Sequence, residues 1–132
     1  IGRLDFMSEG LILFTNNGDY SRSLELPSTG YVRIYRVCIK GKIENKNIEM
    51  INKGIKIDKI NYNRIKIKIE KSNQIYTWII VRLKEGKNRE IRNICKYFAW
   101  NIVKLIRIQY GPYKLGQLKE GKIEEIKVIK NA

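Results

Sequence analysis

Asp5 stands behind Gly2-Arg3-Leu4 at the start of the chain and is one of only three aspartates, with Asp19 and Asp58. The chain has no histidine, so Asp5 has few rivals as a catalytic group. Two other clusters could work beside it. Tyr35 closes the triplet Arg33-Ile34-Tyr35, and the run Glu85-Gly86-Lys87-Asn88-Arg89-Glu90-Ile91-Arg92 leads into a helical pattern. Within that pattern Arg89, Arg92 and Lys96 recur at i, i+3, i+7 and form a basic stripe. A guanidinium close to an aspartate favours its ionised form by about one to three pKa units. Each cluster has a plainer meaning when taken alone. An aspartate in a tight turn is commonly a cap or turn residue. A strand tyrosine commonly packs its ring and leaves its hydroxyl at the rim. A basic stripe is commonly a solvated helix face.

Composition narrows the chemistry further. Without histidine there is no Ser-His-Asp or Cys-His arrangement and no imidazole metal ligand. Cys38 and Cys95 are far apart and lack CxxC spacing, which predicts reduced core residues in a cytoplasmic protein. The 132 residues suit one domain with a real core, and 30% charged against 43% hydrophobic residues argues for a folded chain. A net charge of +14 points to a polyanionic partner, nucleic acid first among them. No apolar run is long enough to span a bilayer, and no signal-like segment leads the chain, so no membrane role is expected.

The elements that must position these groups follow from periodicity. Leu11–Thr15 reads as a short buried strand closed by Asn16-Asn17-Gly18. Asp19–Leu26 reads as one or two helical turns capped by Asp19 and stopped before Pro27. Val32–Lys40 alternates, with Val32, Ile34 and Arg36 on one side and Arg33, Tyr35 and Val37 on the other. Asn45–Asn52 is a predicted helix with Gly54 beyond its end. Ile65, Ile67 and Ile69 alternate with Lys66 and Lys68, and a polar turn at Lys71–Gln74 returns the chain along Ile75–Leu83 as a hairpin. Asn88–Ala99 is the clearest helix, capped by Asn88, with Ile91, Ile94, Cys95 and Phe98 as its apolar stripe. Val103–Tyr110 is a further strand ended by Gly111-Pro112, and the tail from Leu118 a turn and short strand. This order predicts a single α+β domain with a mixed, mainly antiparallel sheet and a few flanking helices.

Taken together the clusters match a family. The blocks are Gly2-Arg3-Leu4-Asp5, Ser8-Glu9-Gly10-Leu11, Thr15-Asn16-Asn17-Gly18-Asp19, Arg33–Tyr35 and Glu85–Arg92, then Gly111–Gly116 followed by Leu118. In this order they resemble the ribosomal-RNA pseudouridine synthases, in the branch that carries an N-terminal RNA-binding domain like a ribosomal protein. Asn17 stands where that family often has Asp, and Glu90 where it often has Gln. The family's N-terminal RNA-binding domain, and a Lys-Pro-containing segment that contributes a strand, have no counterpart in the sequence. On this resemblance the chain is expected to be the catalytic domain without those parts.

The resemblance implies roles residue by residue. Asp5 matches the essential aspartate, Tyr35 the tyrosine that packs on the target uracil, and Arg92 the basic partner of the aspartate. Leu83 and Ile91 resemble apolar pocket positions. Lys87 and Arg89 resemble RNA-backbone contacts, with Arg3 and Asn88 in the same substrate-facing group. The implied reaction isomerises a uridine of ribosomal RNA, in the large subunit, to pseudouridine with no metal or organic cofactor, in a monomer. Two other readings compete with it: an RNA-binding module without catalysis that acts in ribosome assembly, and a simple ribosomal protein. The second has no use for an Asp5–Tyr35–Arg92 set, which is expected to converge on one cleft.

Overall fold

The computed structural model describes residues 1, 4, 7–26, 30–63, 65–84 and 89–129. In chain order its elements are β1 (Glu9–Gly10), α1 (Gly18–Glu25), β2 (Arg33–Lys40), α2 (Asn45–Asn52), β3 (Ile55–Ile57), β4 (Ile60–Tyr62), β5 (Lys66–Ser72), β6 (Tyr76–Leu83), α3 (Glu90–Tyr97), β7 (Asn101–Tyr110) and β8 (Tyr113–Lys114). The main sheet has the order β1-β7-β2-β6-β5, with β8 folded back on β7. The β1–β7 pair is parallel and the other pairs antiparallel, which gives the mixed, mainly antiparallel sheet expected from the sequence. β3 and β4 form a separate hairpin.

Alternation in the strands sets what is buried. Val37 and Ile39 of β2, Ile67 of β5, Ile79, Val81 and Leu83 of β6 and Leu105 of β7 face one side. There they meet Ile48 and Ile51 of α2 and Ile91, Ile94 and Cys95 of α3 in the main core. Burying each such aliphatic side chain stabilises the fold by about 1.5–3 kcal/mol. A second cluster, Leu11, Leu24, Tyr110 and Tyr113, seats α1 at the far end of β7.

Local chemistry moved several boundaries. Asn17 caps α1 by accepting from the Tyr20 amide, so Asp19 lies in the first turn rather than at the cap. Leu11–Thr15 is not a strand: Leu11 and Leu13 tuck into the second cluster while Ile12 and Phe14 face out. α3 begins at Glu90 behind a left-handed Arg89 (φ 51°), two residues later than Asn88 would start it. The tail beyond Leu118 is turn and coil through Ile129.

Candidate active site

β2 carries Tyr35 on the inner face, half-buried against the main core. Leu83 and Ile91, two predicted pocket residues, are members of that same core and are themselves buried. On its other side Tyr35 faces Arg107 of β7, and an irregularity in the ladder arranges this. Ile34 pairs with Gln109 but Tyr35 pairs with Arg107, so Ile108 is an extra residue on β7. The bulge lets Arg107 and Tyr110, three residues apart, both turn inward, where strict alternation would separate them.

Arg107 is 1% exposed. Its Nε donates to the Leu11 carbonyl at 2.9 Å and a terminal nitrogen reaches the Ile1 carbonyl at 3.4 Å. Both carbonyls belong to the segment that carries Asp5 in the sequence. Arg33, 7% exposed, donates to the Tyr110 hydroxyl at 2.9 Å and toward the Glu25 carbonyl at 3.4 Å, at the C-terminal end of α1. The two guanidiniums lie over the Tyr110 ring, 4.8 and 5.0 Å from its centroid. Among the described residues neither Arg33 nor Arg107 has a carboxylate within ion-pair distance. The two guanidiniums bring positive charge to the inner face beside Tyr35.

Burial pushes the Tyr35 hydroxyl above its ordinary value, while the nearby guanidiniums of Arg107 and Arg33 pull the other way. The phenol stays protonated at neutral pH. Arg92, on the first turn of α3, donates to Ser8 Oγ at 3.3 Å. Ser8 immediately precedes β1, and β1 runs beside Ile106 and Arg107. Gly10 makes that approach possible. Its φ is +109°, and a Cβ there would overlap the Arg107 main chain. Ile1, Ser8, Gly10 and Leu11 are thus tied to α3 or to β7 at Arg107, the residue paired with Tyr35.

Of the predicted site residues, Tyr35, Leu83, Ile91 and Arg92 occupy the core of this neighbourhood or its margin. Arg89 is exposed at the head of α3. Asp5, Arg3, Lys87 and Asn88 lie outside the described residues, and with them the predicted Asp5–Arg92 contact. The sequence pattern alone does not single out Ser8 or Arg107, and it offers Arg33 only as part of a triplet. The one available signal for Arg107 is a lone cation inside the apolar run Leu105-Ile106-Arg107-Ile108.

Residues 1–97 match the family model for RNA pseudouridylate synthases. The chain belongs to that family. An uncharacterized RNA pseudouridine synthase of Rickettsia prowazekii is 49% identical over 128 residues, covering 96% of this chain and 53% of the relative. The ribosomal large subunit pseudouridine synthase B of Haemophilus influenzae is 35% identical, over 87% of this chain and 32% of its own length. A crystal structure of a pseudouridylate synthase superposes with a TM-score of 0.79 at 22% identity, covering 86% of this chain and 49% of that one. The likeness shows that the α+β sheet with three flanking helices described here is the pseudouridylate synthase fold. The chain spans about half the length of the Rickettsia relative. No described helix is long and apolar enough to cross a membrane.

Proposed function

We propose that this chain is the catalytic part of an enzyme that isomerises a uridine of ribosomal RNA, in the large subunit, to pseudouridine. The observation that carries the reading is the gathering of Tyr35, the buried Arg107, the partly buried Arg92 and residues that flank Asp5 in sequence: Arg107 holds the Leu11 and Ile1 carbonyls and faces Tyr35, while Arg92 holds Ser8. The large-subunit target is supported by the name of the Haemophilus influenzae relative.

The reaction breaks the N1–C1′ glycosidic bond, turns the base, and joins C5 to C1′. The C5 hydrogen leaves as a proton and N1 gains one, so no electrons are exchanged and no cofactor is required. Asp5 supplies the carboxylate, whether it acts on the sugar, on the ring or on a sugar proton. In each case it must be ionised while shielded from water. Arg92 holds it so, and the charge of the buried Arg33 and Arg107 adds to the field. Tyr35 offers a flat face for the flipped uracil, worth about 1–3 kcal/mol of stacking, and a protonated hydroxyl near the reacting base. Unstacking the uridine costs a few kcal/mol, which backbone contacts from Lys87, Arg89, Arg3 and Asn88 offset. We place the enzyme in the cytoplasm, acting as a monomer.

The test uses ribosomal RNA transcripts carrying tritium at uracil C5. Release of label to water by the chain, lost in Asp5→Asn, supports the reading. Undiminished release in Asp5→Asn removes the role given to Asp5. Salt-sensitive RNA binding with no release from either subunit's RNA favours the non-catalytic RNA-binding alternative.

A further inference from the structure

The face of the sheet turned away from Tyr35 has its own composition. The buried apolar residues of all three described helices pack into clusters with inner-face strand residues, and none of them belongs to the outer face. Alternation places Lys66, Lys68 and Lys71 of β5, Arg82 of β6, Arg36 of β2 and Lys104 of β7 on that outer face. Glu70 is the one carboxylate among them, and Arg36 already holds it at 2.7 Å. Trp78 sits in the middle, opposite Lys71 on one side and Cys38 on the other. The Arg36 guanidinium lies 4.5 Å from its ring centroid and the Lys71 ammonium 5.8 Å. Lys104, Arg36 and Lys71, from three different strands, all bear on the Cys38 thiol at the centre of the patch. Like charges facing one another across strands are destabilising, and a single paired glutamate does not offset six cations.

A flat sheet face with an aromatic ring set among an excess of cations matches the chemistry of single-stranded nucleic acid. Phosphates neutralise the lysines, and a base stacks on or beside the indole. We propose that this outer face is a second RNA surface, which binds a single-stranded stretch of the substrate away from the nucleotide presented to Tyr35. A lipid surface would also meet the cations but would make no use of a half-buried indole pinned under a guanidinium, and a second protein copy would bring the same positive charge. The proposal does not require isomerisation to occur on the opposite face.

The experiment measures binding of a fluorescein-labelled, unstructured RNA of about 12 nucleotides, within the usual site size of such surfaces, as a function of salt. Three chains are compared: the 132-residue protein, the combined variant Lys68→Gln, Lys71→Gln, Lys104→Gln, and a control with equal charge removed elsewhere, Lys56→Gln, Lys59→Gln, Lys122→Gln. All six lysines are exposed, so folding is not at stake. Single-strand contacts contribute roughly 0.7 each to the salt slope, so the outer-face variant loses about 2 from it and the control far less. Trp78→Ala binds roughly five- to a hundredfold more weakly at fixed salt, and Trp78→Phe close to the parent. Equal losses in the two lysine variants, or no loss in either, overturn the proposal. So does binding to vesicles containing phosphatidylserine that depends on these lysines while RNA binding does not, or a dimer that the outer-face variant dissociates. Tritium release from labelled ribosomal RNA, run on the same proteins, separates the two readings. A parent without release whose salt slope still depends on the outer face leaves this surface standing and removes the isomerase. Normal release with the outer-face variant binding like the control removes this surface alone.

Discussion

Replacing Arg107 by Met keeps the bulk of the side chain and removes its donors and its charge. The Leu11 carbonyl then loses the charged donor now 2.9 Å away, beside a leucine that is itself buried. A buried acceptor left unpaired costs about 1–3 kcal/mol. The guanidinium over the Tyr110 ring adds roughly 0.5–2 kcal/mol. The longer bond to the Ile1 carbonyl, at 3.4 Å, adds little. Against these runs the relief of no longer burying a cation that has no carboxylate partner among the described residues. The balance is a loss of about 2–4 kcal/mol, or a fall of about 1–2 M in the urea midpoint at an unchanged slope. Arg107→Lys keeps the charge but one donor geometry fewer, and falls between the two. A second readout is independent of stability. Arg107 lowers the Tyr35 pKa against the effect of burial, so in the Met variant the Tyr35 phenol titrates at higher pH than in the parent, followed by NMR of labelled tyrosine. Tritium release at a temperature well below unfolding drops with it, because the Asp5-bearing segment has lost its anchor. A Met variant within about 0.5 kcal/mol of the parent, or a Tyr35 phenol that moves down, would refute this account of Arg107.

Gly10→Ala puts a methyl into the Arg107 main chain at a φ of +109°, so β1 leaves β7. We expect a loss of more than about 3 kcal/mol in thermal or urea unfolding, and a variant as stable as the parent would contradict the close approach. The Cys95 thiol is pushed up to about 12 by burial, with Arg92 opposing weakly, from an ordinary value of 9.0. Its folded pKa is the higher one, so its contribution is fully present below pH 9 and is lost as pH rises from there toward 12. The unfolding free energy from urea titrations at pH 7.5 to 10.5 therefore falls above 9 by about 1.4 kcal/mol per pH unit from this group, and Cys95→Ala flattens the decline.

Much of the fold was legible because its strands carry strong alternation. The isoleucines at 65, 67 and 69 came out on the inside as expected, Arg33, Tyr35 and Val37 came out together on one face, and α2 fell on its expected residues. What escaped the pattern has specific causes. The β3–β4 hairpin turns at Asp58 and Lys59, both at positive φ without a glycine to announce the turn. The two helix starts went to residues whose caps depend on backbone geometry, an Asn17 side chain in one case and a left-handed Arg89 in the other. At the site, strict alternation would put Arg107 and Tyr110 on opposite faces. One extra residue, Ile108, cancels that parity, and a bulge of this kind leaves no mark on hydrophobic spacing.

The two surfaces argued above are consequences of a single strand. β2 sends Arg33, Tyr35, Val37 and Ile39 inward and Ile34, Arg36, Cys38 and Lys40 outward. Inward, the cations are buried and held by carbonyls and a tyrosine, which fixes their geometry. Outward, Arg36 is only partly exposed and leans on an indole beside flexible lysines, which suits many phosphates without demanding one geometry. A register slip of one residue in β2 would exchange these two sets. It would bury Arg36 and Lys40 and carry Tyr35 out into solvent. Stability of the core and placement of the inward and outward sets are thus locked to the same pairing, with β6 on one side and β7 on the other.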